Sequence, residues 1–185
     1  MVAPATPRVA RAADASAIAR VLVESWRTTY GDLLPEPYLA AMDVRESEER
    51  WARTLADPYH RSAVFVAEEA GTIVGFASCG RERDGDRRYE GELYAIYLLR
   101  EHQGRGHGRA LVRAAAAELA SRTMTSMVVW VLRDNARARG FYEHLGGMYL
   151  RERPLDMGLA GHVPEVAYVW EDTTPLRSGA PALRP

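Results

Sequence analysis

The sequence predicts a mixed domain of the α/β class, α+β in type: a central, mostly antiparallel sheet flanked by helices. Three observations carry this. Apolar residues recur at helical spacing between Ile18 and Leu55. Compact strand-like runs bounded by turn residues follow from Ala63 to Leu99. A strand–glycine–helix–strand unit then runs to Leu132, and helices preceding a mostly antiparallel sheet form a single mixed domain.

Residues 8–12 read as a short strand and Asp14 as the N-cap of the first helix. Ile18, Val21, Leu22, Ser25, Trp26 and Thr29 share a face of that helix, with Trp26 a core residue, and Gly31 ends it. Pro35 and Pro37 punctuate a loop or short helix. Asp43, with Glu46 three positions on, resembles a capping box; the helix it opens runs through Val44, Trp51 and Leu55 to Asp57-Pro58. Residues 63–67 and 72–79 read as a hairpin turning at Glu69-Ala70-Gly71, with Cys79 a small core residue. Residues 80–88 are charged and exposed. Residues 89–99 form a third strand whose end, Ala95-Ile96-Tyr97-Leu98-Leu99, is apolar on both faces and therefore central. A glycine stretch, a helix to about Ser121 and a buried strand over 127–132 follow. Asp134-Asn135 caps a short helix ending at Gly146-Gly147, and residues 148–151 and 166–170 are the closing strands. Residues 1–172 make one domain; 173–185, with three prolines and few apolar residues, is expected to be a flexible tail.

At 185 residues the chain can bury a substantial core, and 47% hydrophobic with 26% charged residues excludes wholesale disorder. A net charge of -1 argues against a general nucleic-acid binder. The single cysteine excludes an intramolecular disulfide and a cysteine-based zinc site. MVAPATPRVARAAD has no apolar stretch of the signal-peptide kind, and no segment approaches the roughly 18 apolar residues of a membrane span. The expectation is a cytoplasmic protein with neither nucleic acid nor membrane as partner.

EHQGRGHGRA, residues 101–110, places three glycines in front of the best helix of the chain. Each costs about 1 kcal/mol relative to alanine inside a helix. Bare backbone at a helix start lets a phosphate or diphosphate reach unpaired N–H groups at the positive end of the dipole, with Arg105 and Arg109 beside it. A plain tight turn would also use glycine, though alternation of three favours anion binding. Arg109-Ala110 stands where a P-loop needs Lys-Ser or Lys-Thr, and Arg109 occupies the third glycine position of a dinucleotide fingerprint.

Gln103-Gly104-Arg105-Gly106-His107-Gly108 fits the Gln/Arg-x-x-Gly-x-Gly/Ala signature of the GCN5-related N-acetyltransferases. Glu92-Leu93-Tyr94-Ala95-Ile96-Tyr97-Leu98 resembles the fourth strand of that family, and the segment from Asn135 to Gly147 its Asn-x(6)-Tyr segment, with Gly147-Met148 where many members have Gly-Phe. The resemblance covers about Ala10 to Trp170. It implies a sheet splayed between the fourth and fifth strands, with acetyl-coenzyme A in the opening and no metal. By resemblance, Gln103, Gly104, Arg105, Gly106, His107, Gly108 and Arg109 cradle the diphosphate, Ile96, Tyr97 and Leu98 pair with the pantetheine arm as an added strand would, and Asn135 touches the cofactor.

Acetyl transfer to a neutral amine gains from a base, an oxyanion donor and an acid for the departing thiolate. The resemblance implies Tyr142 as acid, although Ala138, Tyr142 and Leu145 also share a packing face. It implies the Leu98 N–H as oxyanion donor and Glu92 as base working through water, with Glu24, Tyr30 and Tyr94 left open. Tyr30, Asp32 and Tyr94 are candidate acceptor contacts, and Asn135 has a sufficient reason in capping. His102 and His107 have no further ligands at metal spacing and read as solvent or cofactor-edge contacts. The expected activity is transfer of an acetyl group to a primary amine, small-molecule or peptide, in a ternary complex, by a possible homodimer. A non-catalytic coenzyme A sensor and a nucleotide-binding protein of another class are the alternatives.

Overall fold

The computed structural model describes residues 6–178. In chain order the elements are β1 (Arg8–Val9), α1 (Ala15–Tyr30), α2 (Glu36–Ala40), α3 (Val44–Ala56), β2 (Ala63–Glu69), β3 (Thr72–Arg81), β4 (Gly91–Leu98), α4 (His107–Ser121), β5 (Met127–Leu132), α5 (Ala136–His144), β6 (Met148–Asp156), β7 (His162–Trp170) and α6 (Thr174–Ser178). The strands form one sheet in the order β1-β2-β3-β4-β5-β7-β6. All neighbours are antiparallel except β4 with β5, the two strands that α4 connects.

The helices divide the core between the two faces of the sheet. Leu111, Val112, Ala115, Ala116 and Leu119 of α4 are buried at spacings of one helical face and belong to the same core cluster as Leu93, Val129 and Tyr168. Ile18 and Val21 of α1, with Trp51 of α3, cover Val66 and Phe76 on the other face. Asp43 caps α3 by accepting the Glu46 N–H at 2.8 Å. Asp14 does not cap α1 through its side chain. It closes a 3-10 turn, accepting the Arg11 N–H at 2.7 Å and pairing with Arg8 at 2.7 Å.

One feature of the sheet creates the site. β4 and β5 share three rungs, Gly91–Met127, Glu92–Val128 and Leu93–Val129, and then part. At that point β4 bulges. Ser78 of β3 faces Ala95 and Cys79 faces Leu93, so Tyr94 is the extra residue. A bulge increases local twist and bends its strand, which turns the remainder of β4 away from β5. Tyr94 folds across Gly80, where a Cβ would lie 2.5 Å from its hydroxyl, and donates to the Arg81 carbonyl at 2.6 Å.

Two expectations from sequence are corrected. The closing strands are longer than 148–151 and 166–170, because Pro154 and Pro164 face each other in the register and their missing N–H groups fall at one rung of the ladder. The tail does not begin at Thr173. Thr173 is fully buried, and α6 lays Leu176 into the main core. Residues 179–185 of that expected tail lie outside the described residues.

Candidate active site

A cleft of about 1050 Å³ occupies the parting of the sheet. Residues 94–98 of β4 form one wall and residues 129–132 of β5 the other. Ile96, Tyr97 and Leu98 line it, on the edge of β4 that β5 has left unpaired. Such an edge presents backbone N–H and C=O groups to whatever enters.

β4 leads directly into the glycine loop. Gln103 folds back, its side-chain amide donating to the Leu98 carbonyl at 2.9 Å. Gly104 (φ +75°) and Gly106 (φ +91°) lie in the left-handed region, and Gly106 is the N-cap of α4. The first backbone bond of α4 runs from Ala110 to Gly106 at 3.0 Å, so the N–H groups of His107, Gly108 and Arg109 have no carbonyl behind them. Gln103, Gly104, Gly106, Gly108 and Arg109 all line the cleft. Gly108 has a different reason from its neighbours: a Cβ there would sit 3.2 Å from Phe141 and 3.3 Å from Leu98, so it allows α4 to pack on α5 and β4.

The side chains of Arg105 and His107, expected against the cofactor, point elsewhere. Both turn to Glu69 at the end of β2. Glu69 meets His102 Nδ1 at 2.7 Å, Arg105 Nη1 at 2.9 Å and His107 Nε2 at 3.2 Å. His107 is buried and neither it nor Arg105 lines the cleft. Their alternation with glycine explains this: backbone faces the cleft while alternate side chains anchor the loop behind. The bond from His102, then that from His107, holds the Glu69 carboxyl at about 2, below its ordinary 4.5.

Tyr142 lies deeper, on α5, and is 4% exposed. Burial, then the neighbouring Tyr30, pushes its hydroxyl well above the usual tyrosine range. Asn135 caps α5 by accepting the Ala138 N–H at 3.1 Å, and its amide donates to the Tyr30 hydroxyl at 3.4 Å. Burial raises Tyr30 as well. Tyr30 packs tilted against Trp26, ring centroids 4.9 Å apart, and both line the cleft, with exposed Asp32 beside them. Glu24 pairs with Arg20 at 3.5 Å and does not line the cleft.

Glu92 is 2% exposed and lines the cleft on the three-rung joint. Arg83 holds it: the backbone N–H and Nε reach one oxygen at 3.1 Å each, and Nη2 the other at 2.5 Å. These occupy three of about four acceptor positions of a carboxylate and leave room for one water. Tyr94 shares this wall, but its hydroxyl is committed to Arg81.

Several cleft residues escaped the sequence reading. Arg100 and Arg137 flank the glycine-loop side, and isolated arginines in a turn or a helix give no spacing signal. Arg83, Trp130, Arg153 and Glu165 form the opposite end. Arg153 and Glu165 face each other across β6 and β7 and bond at 2.6 Å, a pair visible only once the register is known.

A sheet parted at its one parallel joint, with a glycine loop feeding a helix N-terminus at the mouth, defines the N-acetyltransferase class. Residues 21–147 match the sequence model of the Acetyltransferase (GNAT) family, and the chain belongs to that family. It is 39% identical to the uncharacterised N-acetyltransferase YuaI of Bacillus subtilis, over 94% of this chain and 96% of that protein. Among solved structures it is similar to the PaiA N-acetyltransferase of Thermoplasma acidophilum in complex with coenzyme A, with TM-score 0.67, 21% identity, and 86% and 96% of the two chains covered. It is also similar to YncA of Salmonella typhimurium with acetyl-coenzyme A, with TM-score 0.64, 24% identity, and 89% and 92% covered.

Proposed function

We propose that the chain transfers an acetyl group from acetyl-coenzyme A to a primary amine by direct attack within a ternary complex. The observation that carries this is a continuous wall in which the unpaired edge of β4 runs into left-handed glycines and the bare N-terminus of α4. An elongated donor with amides along its arm and a diphosphate behind fits that wall. Coenzyme A and acetyl-coenzyme A in two similar structures support the same donor.

In this reading Gly104, Gly106 and the first N–H groups of α4 hold the diphosphate, with Arg109, Arg100 and Arg137 adding charge. Ile96, Tyr97 and Leu98 align the arm by main-chain bonds, and the Leu98 N–H donates to the developing oxyanion. Asn135 fixes the wall through Tyr30. Tyr142 keeps its proton because burial opposes the phenolate, and donates to sulfur as the thiolate leaves. Full proton transfer is uphill, since a thiol ionises near 8.5, so the contribution is a polarised hydrogen bond. Glu92 takes the ammonium proton through the one water its free acceptor position admits.

Calorimetric titration of acetyl-coenzyme A tests the donor, with Gly106→Trp as control. Micromolar binding that the variant loses is the expected result. Absence of binding to the intact protein sinks the assignment.

A further inference from the structure

The end of the cleft remote from the glycine loop carries donors without acceptors. Arg153 gives Nε to Glu165 at 2.6 Å and Nη1 to Asp84, while Nη2 bonds to nothing among the described residues. Arg83 gives Nε and Nη2 to Glu92, and its Nη1 is likewise left over. Both guanidinium planes are backed by rings, Arg153 at 3.6 Å from the Trp130 centroid and Arg83 at 4.3 Å from Tyr94. Each ring contact restrains its guanidinium and leaves one nitrogen without a protein acceptor. Arg83 and Asp84 are chain neighbours, so the Asp84–Arg153 contact draws the two groups to the same end.

The carboxylates here are engaged by arginine. Glu92 and Glu165 are 2% and 5% exposed, and each already accepts from one. What remains on offer is one guanidinium nitrogen from each arginine, Arg153 Nη2 and Arg83 Nη1, charged donors of the kind that suit a carboxylate or phosphate. A polycationic acceptor needs the reverse, open carboxylates with cations absent.

We propose that the acceptor amine also bears an oxyanion, a carboxylate or a phosphate, bound by the free edges of Arg153 and Arg83. This rests on the acetyl-transfer reading above and names its substrate class. Arg153 and Arg83 are then specificity residues, and Trp130 and Tyr94 hold their planes.

The test is coenzyme thiol release with matched amines: L-amino acids against their amides, and phosphoethanolamine against ethanolamine. The accepted acid exceeds its neutral partner in kcat/KM by about tenfold or more, as expected where charged hydrogen bonds are lost. Which pair shows the preference tells carboxylate from phosphate. Arg153→Lys keeps the charge and loses the planar guanidinium that offers Nη2 while bonding Glu165; it raises KM for the acid about tenfold or more, erases the discrimination, and leaves acetyl-coenzyme A affinity unchanged. A variant that fails to bind acetyl-coenzyme A is replaced by Trp130→Leu, which frees the Arg153 plane and lowers the same discrimination. Neutral amines acetylated as well as the acids overturn the proposal. So does donor binding with no acid acetylated above its neutral partner, and in both cases the donor reading stands. If acetyl-coenzyme A itself does not bind, both fall together.

Discussion

Tyr142 combines two conditions that rarely suit each other: it is buried, and it has no hydrogen-bond partner for its hydroxyl among the described residues. Burial raises its pKa and opposes ionisation, so the hydroxyl is a donor throughout the ordinary range. Tyr142→Phe keeps the packing with Phe141 and Trp170 and removes the proton. A hydrogen bond to a charged group is worth about 1.5–3 kcal/mol, so kcat falls about 10- to 150-fold while KM for acetyl-coenzyme A holds. An unchanged kcat removes the role. The pH profile is an independent check. A tyrosine whose pKa is raised loses its proton only above its ordinary value near 10. Wild-type kcat therefore shows no decline of Tyr142 origin below pH 10 or so. A decline there that Tyr142→Phe abolishes means the hydroxyl ionises normally, and the buried donor is wrong.

The glycine loop shows how an element can be fixed from behind while its front stays bare. Glu69 gathers His102, Arg105 and His107, and the backbone between them faces the cleft. Its carboxyl at about 2, against 4.5 ordinarily, is a depressed pKa. The stability it adds is therefore present above pH 4.5 and is lost as pH falls toward 2. Tm measured across that window drops more steeply for wild type than for Glu69→Gln, and the two meet near pH 2. Parallel curves mean the contacts carry no charge-dependent stability. Gly108→Val probes the other side of the loop: the added atoms press on Phe141 and Leu98, and overpacking of this kind costs about 1–3 kcal/mol, read as a lowered Tm. The sequence made much of this element legible, since three alternating glycines at a helix start have few other uses. It did not separate Gly108, a packing glycine, from Gly104 and Gly106, which need positive φ, because all three are the same letter. Nor did it reveal Glu69, 33 residues or more from its partners. Compact apolar runs between turn residues placed the strands up to Leu99, whereas Pro154 and Pro164 hid the length of the last hairpin and with it the Arg153–Glu165 pair. Short-range pattern reaches elements; a cross-strand ion pair needs the register.

At the scale of the molecule the sheet is two sub-sheets held by three rungs. β1 to β4 lie on one side and β5, β7 and β6 on the other. The joint is made rigid by side chains rather than by length: Leu93 is 1% exposed at the last rung and shares a core cluster with α4, the helix that connects β4 to β5. Leu93→Ala leaves a cavity there and costs about 2–5 kcal/mol, or about 4–20 °C of Tm in a domain of this size. A donor entering beyond that rung supplies β4 with the partner that β5 withholds. Backbone amides within residues 96–98, exchanging through an open edge in the free protein, then slow when acetyl-coenzyme A is added. The amides of residues 104–109 slow with them, because the diphosphate and the arm belong to one molecule. The β2–β3 hairpin, already paired through Ala67 and Gly75, does not change. Hydrogen exchange read by mass spectrometry resolves these three segments. Protection confined to residues 104–109 means the loop binds phosphate without the arm reaching β4. Protection spread evenly over the sheet means the ligand tightens the whole fold, and the parted strands are not where it lies.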